Sequence, residues 1–424
     1  MSDSTYYQAT ATEPFPNAPP LTEPVTADVC VIGGGYAGLS AALHLARRGA
    51  SVRLLEASRI ADGASGRNGG QVHNGFRHDR HWFESRLGAD FAHRIGALAV
   101  ESRAHLDCLI RTYNIDVQYQ PGLLHLCHKK SYVAEAQSHV DEVMSRHPEA
   151  GLRFVDLHEA RSLVGSNDYY GGYLDTRSGH LHALNLALGI ARAASQHGAQ
   201  LHERTAATRI SRKASGWEVH TKSASVTAGN VILAGNGYLR NLQPAVESRV
   251  MPLNNFIVTT EPLGRERAER LVRGRLAVSD SRFVVYYFRI TPDDRLLFGG
   301  GETYSYQFPN DIAGMVRKHL LHVFPQLQDT RIEHAWGGTL AITTSRLPFV
   351  REIEPGLFNA SGFSGQGIVV APFAGKALAE AIGGNRRVFD MLAQFPVHRF
   401  PGGKYLRRPV LVAAMSWYAL RDHL

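Results

Sequence analysis

Cysteine is scarce in this chain of 424 residues: Cys30, Cys108 and Cys127 are all it has, and no two of them stand in CxxC spacing. That excludes a disulfide framework or a zinc ribbon and fits a reducing, cytoplasmic setting. Apolar runs are short. "RRPVLVAAMSWYAL" near the C-terminus carries about twelve apolar residues, where a bilayer-spanning helix needs about twenty. A docked helix over 400–424 is therefore expected, in preference to one lying against a membrane surface. The N-terminal "MSDSTYYQATATEPFPNAPPLTEP" lacks the basic and apolar regions of a signal peptide, and its five prolines predict an extended arm over 1–24. Basic blocks with interleaved aromatics are missing although the formal charge is +8, so no nucleic-acid partner is expected. His73, His78 and His81 lack a ligand-like spacing, and no metal is expected.

With 44% hydrophobic and 20% charged residues, the chain is too apolar for disorder and too long for one core, which favours two domains. "DVCVIGGGYAGLSAALHLARRGASVRLLEA" reads strand, glycine turn, amphipathic helix and second strand, a βαβ unit with buried parallel strands. A glycine-dense loop, "GASGRNGGQ", follows. Helical patterns occupy about 90–114 and the segment "NLALGIARAASQHGA"; "NVILAGN" reads as another buried strand. The chain alternates in β fashion over about 246–334 and returns to strand, turn and helix in "LFNASGFSGQGIVVAPFAGKALAEAI". The expected fold class is α/β. A discontinuous Rossmann-like nucleotide domain takes 25–90, 180–245 and 335–399, and a second, antiparallel β-rich domain takes 91–179 and 246–334.

Gly33, Gly35 and Gly38 form GxGxxG, in which the glycines serve the tight turn, backbone approach to a pyrophosphate and helix-on-strand packing. The motif follows a strand, opens a helix and is answered by Glu56, eighteen residues past Gly38, where a carboxylate accepts ribose hydroxyls. The pyrophosphate then sits at the helix N-terminus, against free N–H groups and the positive end of the dipole. NAD and FAD share this fingerprint. Three features point to FAD: a second glycine-rich strand-turn-helix near the C-terminus, the loop with Gly66, Gly69 and Gly70 around Arg67 and Asn68, and the small residues Ala234 and Gly235 that end a buried strand.

On these residues the sequence resembles the flavin-dependent amine oxidases of the D-amino-acid-oxidase superfamily, and within it the γ-glutamylputrescine oxidase group. The pairing of "GASGRNGGQ" with "GFSGQG" is more specific than GxGxxG, and "AWGGTLAITTSRLPF" and "WYALRDHL" extend the match almost end to end. The resemblance implies an FAD domain with noncovalent FAD and an antiparallel substrate domain. It implies that Gly33, Gly35 and Gly38 meet the pyrophosphate and Glu56 the adenosine ribose. Ser65, Arg67, Asn68, Gly69 and Gly70 would wrap the ribityl chain and ring, with Ala234, Gly235 and Gly337 beside them. Gly365, Gln366, Gly367 and Ile368 would present N–H groups to the pyrimidine edge, where reduced flavin is anionic. The chain departs from the superfamily in two places. Gly338 to Thr344 holds no arginine where amino-acid oxidases anchor a carboxylate, leaving Arg346 as the substitute. Tyr286 stands where the γ-glutamylputrescine group often has an acidic residue.

The implied reaction moves a hydride from the carbon beside nitrogen to flavin N5, and the imine is then hydrolysed. The protein must supply a dry pocket and present an uncharged amine, although alkylamines titrate near pH 10.4. His73 is the candidate proton acceptor and Tyr286 the second catalytic candidate. Asn74, Phe288, Trp336 and Arg346 are the candidate substrate-pocket residues. The expected partners are a small amine and either oxygen or a respiratory acceptor. The rival readings are an oxidase of a cyclic or secondary amino acid such as pipecolate, and a non-catalytic FAD-containing assembly protein.

Overall fold

The computed structural model describes residues 4–303 and 307–401; most of the expected C-terminal helix, from residue 402 on, lies outside the described residues. Two sheets carry the chain. The first is built on Val25–Ile32, whose last four residues are buried, as a parallel strand covered by helices on both faces requires. Val25–Ile32 pairs in parallel with Ser225–Leu233 on one side and Val52–Leu55 on the other. Leu357–Ser361 and Gln200–His202 extend the sheet outward, again in parallel. Antiparallel pairing enters at the edge strand Phe349–Glu354 and at the hairpin of Arg209–Lys213 with Gly216–His220.

Three helices cover this sheet's neighbourhood: Tyr36–Ala46, Ala183–Gln196 and Gly367–Ile382. The first is buried on nearly every side because the other two flank it. Its small residues permit that approach. A Cβ on Gly375 would stand 2.2 Å from the Ala37 carbonyl oxygen and 2.8 Å from the Ala41 nitrogen, and the Ser40 hydroxyl donates to the Pro372 carbonyl at 2.7 Å. Tyr36–Ala46 and Gly367–Ile382 are thus locked side by side, although more than 300 residues separate them in the chain.

The second sheet runs, in order, Ile332–Ile342, Met251–Thr260, Leu296–Thr303, Tyr287–Ile290, Ala277–Asp280, Gln120–Leu126, Gly172–His180 and Gln71–Val72, with Leu152–Val155 paired to Gly172–His180. Its pairing is antiparallel except between Ala277–Asp280 and Gln120–Leu126, which run parallel. A separate core cluster, with Phe256, Phe288, Phe298 and Phe324, packs on this sheet.

Three expectations need correction. The N-terminal arm is not wholly extended: Tyr6–Thr10 is helical, because Thr5 and Gln8 form a capping box and Tyr6 and Tyr7 are buried. Residues 335–342, assigned to the nucleotide domain, belong to the second sheet, since Ile332–Ile342 pairs along Met251–Thr260. Residues 91–112, assigned to the substrate domain, lie in the helix Ala89–Thr112, whose Phe91, Ile95, Leu98 and Leu106 join the core of the first domain. Among the described residues no helix is long and apolar enough to cross a membrane, and Cys30, Cys108 and Cys127 are unpaired.

Candidate active site

A single cleft of about 2580 Å³ runs from the glycine turn of the first sheet to the face of the second. A site for one small ligand occupies about 300–1,000 Å³, so this cleft has room for a dinucleotide and a substrate together. Gly33, which ends the first strand, adopts φ +113, and a Cβ there would meet the Ala234 carbonyl carbon at 2.7 Å and the Gly235 nitrogen at 2.8 Å. Ala234 and Gly235 in turn line the same cleft. The helix Tyr36–Ala46 then opens from Gly35 with no side-chain cap, leaving its N-terminal dipole directed at the cleft. Gly38 lies one turn deeper: its Cβ would sit 2.0 Å from the Gly33 carbonyl oxygen, so it packs the helix on the turn and does not itself face the cleft.

Glu56 ends the second strand with its carboxylate already engaged on one side. Its two oxygens accept from the Gly34 N–H at 2.7 Å and the Ser58 N–H at 2.9 Å. Burial raises its pKa, and those backbone bonds oppose the rise. The lone pairs left over are free to accept hydroxyls. The Ser65 hydroxyl takes the Tyr36 N–H at 3.0 Å, so this residue shapes the turn as well as lining it.

The second helix to reach the cleft is Gly367–Ile382, whose N-cap residue Gln366 likewise makes no side-chain cap. Ser364 at φ +52 and Gly365 at φ +91 bend the chain into it, and Gly365, Gln366, Gly367 and Ile368 all line the cleft. Two positive helix ends, held together through Gly375, therefore face one space. The glycine turns, the uncapped helix ends and the Glu56 carboxylate together fit an elongated, anionic dinucleotide such as FAD.

The loop between them is held by its own side chains. Asn68 donates to the Ala64 and Ser65 carbonyls at 3.0 and 2.8 Å and accepts from the Gly70 N–H at 2.9 Å. Arg67 donates to the Asp62 carbonyl at 2.6 Å and to the Gly337 carbonyl at 3.3 Å. Asn68 and Arg67 thus spend these donors on the backbone, and Arg67 ties the loop to the strand that carries Gly337. Gly70 is a correction: at φ +80, with a would-be Cβ 2.3 Å from the Leu181 carbonyl oxygen, it turns the chain into Gln71–Val72 and does not line the cleft.

On the substrate side the aromatic strand is one residue out of the expected phase. Tyr287 lines the cleft: its ring fills the space that side chains on Gly69 and Gly299 would occupy, and its hydroxyl donates to Asn255 Oδ1. Burial drives its pKa up, so it stays a neutral phenol. Phe288 points the other way, fully buried and stacked on Phe298 at 5.8 Å, because successive strand residues face opposite sides. Tyr286 shares a 2.7 Å hydrogen bond with His319 Nδ1 and lies under Arg282, in the second core and off the cleft. Trp336 is likewise not a pocket wall; its indole N–H donates to the Arg67 carbonyl at 2.9 Å and buttresses the loop from behind.

His73, Asn74 and Arg346 do line the cleft. Burial, and then the charge of Arg77, brings His73 down to about 4, with Asp175 acting in the opposite sense. It is neutral at pH 7 and able to accept a proton. His125 stands 5.8 Å away between ring centroids, is brought to about 3 chiefly by burial, and shares a 2.8 Å hydrogen bond with the Ser279 hydroxyl. Asn74 donates to the Ser178 hydroxyl at 3.1 Å and to Asp175 at 3.4 Å.

Arg77, Asn255 and Glu302 were not singled out by sequence reasoning. The His78 imidazole meets the Ser345 carbonyl at 2.6 Å and clamps the segment after the loop to the turn holding Arg346, whose φ is +60. That brings Arg77 beside Arg346: burial lowers the Arg77 pKa most, the Arg346 charge lowers it further, and Glu302 offsets part of the loss. Two guanidinium groups and one carboxylate thus share the cleft wall. The available signal was the run of polar residues directly after the glycine loop, "HNGFRHDRH", and the glutamate closing "FGGGE".

The family model described as FAD dependent oxidoreductase matches residues 28–381. The chain is 41% identical over 417 residues to the "Probable oxidoreductase OrdL" of Rhizobium meliloti, covering 98% of this chain and 97% of that one. It is 38% identical over 424 residues to the gamma-glutamylputrescine oxidoreductase of Escherichia coli, covering 99% and 98%. Among solved structures, glycine oxidase from Geobacillus kaustophilus superimposes with a TM-score of 0.75 at 22% identity, over 89% of this chain and all of that one, which establishes a shared fold.

Proposed function

The chain belongs to the FAD dependent oxidoreductase family, and from that premise we propose that this FAD-dependent amine oxidase acts on a small amine that also carries a carboxylate, of the γ-glutamylputrescine kind. The observation that carries the reading is the wall of Arg77, Arg346 and Glu302 in the cleft that also holds the glycine turns. Paired guanidinium groups take a carboxylate in bidentate fashion, and a carboxylate beside them takes an ammonium, so the wall is complementary to the amino-acid end of such a molecule. The Escherichia coli relative, a gamma-glutamylputrescine oxidoreductase, is in keeping with this.

FAD, when bound, supplies the hydride acceptor. The residues of this chain do the rest. Gly33, Gly35, Glu56 and Ser65 would hold the nucleotide half, Gly69 and Gly337 would line the ring's side of the cleft, and the N–H groups at Gly365 to Ile368 would stabilise negative charge on the reduced cofactor. His73, which burial holds neutral at pH 7, would accept a hydrogen bond from the substrate amine, and the same burial disfavours the ammonium form of that amine. Tyr287, with Asn255 behind it, forms a wall that excludes water. Attachment of FAD is noncovalent in this reading, and oxygen or a respiratory carrier reoxidises it.

The Arg77 and Arg346 pair also favours a second reading, oxidation of a cyclic or secondary amino acid such as pipecolate, in which the same pair holds the α-carboxylate. A non-catalytic role for FAD predicts a blocked space beside the ring loop, and the open cleft argues against it. Anaerobic mixing of the yellow holoprotein with γ-glutamylputrescine, simple diamines, pipecolate and proline tests the choice. Bleaching by γ-glutamylputrescine alone supports the first reading, bleaching by the cyclic acids replaces it with the second, and bleaching by none of them refutes both. Admitting air afterwards reports whether oxygen is the acceptor.

A further inference from the structure

Arg289 lies on the aromatic strand two residues after Tyr287, on the same face, and is only 2% exposed. It does not line the cleft. Its Nε donates to the Gly69 carbonyl at 3.1 Å, and its Nη2 donates to the Tyr7 hydroxyl at 3.1 Å and the Leu181 carbonyl at 3.4 Å. All three acceptors are neutral, and no carboxylate among the described residues stands within ion-pair distance of it, in contrast to Arg282 and Arg295. The groups around it supply no negative charge. Tyr7 remains a phenol because burial raises its pKa. His180 and His182 are brought to about 3, first by burial and then by Arg289 itself. Asp293, the closest acid in the sequence, accepts from Tyr6 at 2.8 Å and pairs with Arg295 at 2.6 Å.

A buried cation without a counter-charge is costly unless another charge compensates it. The Gly69 peptide that accepts from Arg289 is part of the cleft wall, at the place where the glycine loop meets Tyr287. We propose that Arg289 is the counter-charge of the reduced flavin, a positioning residue that acts through the Gly69 peptide and raises the reduction potential of the bound cofactor. Uptake of two electrons and one proton at N5 leaves the ring system with one negative charge. A positive charge behind a low-dielectric wall stabilises that product selectively. The N-terminal helix Tyr6–Thr10, through Tyr7, holds the guanidinium against Gly69.

The inference rests on FAD occupying the cleft but not on the identity of the substrate, because the potential is measured without one. Holoprotein carrying Arg289→Gln and Arg289→Lys is saturated with FAD and titrated reductively against a dye of known potential. The expected result is a midpoint at least about 30 mV lower in R289Q, a tenfold change in the two-electron equilibrium constant, with R289K restoring the wild-type value. A wild-type potential in R289Q overturns the proposal, as does an R289Q that folds but cannot be saturated with FAD, since that marks a purely structural role. Should R289Q not fold, R289K decides: a potential equal to wild type supports the proposal, and a lowered one overturns it.

Discussion

Replacing Gly375 by alanine tests how two distant turns are brought to one cofactor. The new Cβ would stand 2.2 Å from the Ala37 carbonyl oxygen and 2.8 Å from the Ala41 nitrogen. Both are backbone atoms that cannot rotate away, and ordinary contact starts near 3.4 Å, so the helices Tyr36–Ala46 and Gly367–Ile382 must separate by about 1 Å. Overpacking of this kind destabilises by about 1–3 kcal/mol. The better helix propensity of alanine returns up to about 1 kcal/mol, leaving a net loss of about 1 kcal/mol at the middle of that range. Because the same shift separates the two uncapped helix ends, FAD affinity falls as well, and a displacement of about 1 Å near the chemistry lowers kcat/KM by about a hundredfold. Gly96→Ala serves as the control: it lies within the helix Ala89–Thr112 and its Cβ would meet nothing within 4 Å, so it gains about 0.5–1 kcal/mol. Urea unfolding of both apoproteins, with FAD titration by fluorescence, makes the comparison. A G375A protein as stable as G96A, binding FAD as the wild type does, would refute the reasoning.

Arg346→Ala should raise KM for carboxylate-bearing amines by about tenfold to about a hundredfold, the loss of about 1.5–3 kcal/mol for a charge-assisted hydrogen bond, and leave simple alkylamines within about threefold; steady-state kinetics on both classes decides, and equal effects contradict the assignment. Tyr287→Phe should lower turnover while retaining FAD, whereas Tyr286→Phe should leave turnover within about twofold of wild type, because only the former faces the cleft; reversed effects would restore the sequence-based phase. Stability should fall as pH drops from 6.5 towards 4. The buried histidines His44, His105, His125, His180 and His182, at about 2 to 3, remain neutral when folded while the unfolded chain takes up protons, and each such group contributes a slope of up to about 1.4 kcal/mol per pH unit. Urea midpoints at pH 7 and pH 5 measure it, and equal midpoints would contradict the neutral assignment.

The parts of the site that were legible in the sequence are those that one local segment defines. GxGxxG followed by Glu56 sits in one βαβ unit, so the spacing alone places a carboxylate beside the turn. "GFSGQG" opening a helix is equally local. The phase of the aromatic strand was not legible: Tyr286, Tyr287 and Phe288 are chemically similar, and which one faces the cleft depends on pairing with Leu296–Thr303. Arg77, Arg346 and Glu302 come from three separate segments, and the contact of His78 with the turn at Ser345 is a tertiary one that no local pattern announces. The N-terminal arm misled because its prolines begin at Pro14, after the Thr5 and Gln8 capping box has already closed a turn of helix. The strand Ile332–Ile342 crosses the assigned domain boundary because glycines at 337 and 338 resemble a loop, whereas here they let Arg67 and aromatic rings approach a continuous strand.

Hydrogen exchange of the apoprotein before and after saturation with FAD is the most direct measurement of whether both ends of the chain hold one cofactor. Slower exchange is expected at the amides of Gly33 to Gly38 and of Gly365 to Val370 together, with the same FAD dependence. Protection confined to the N-terminal turn, with the second helix end unaffected, would contradict the account.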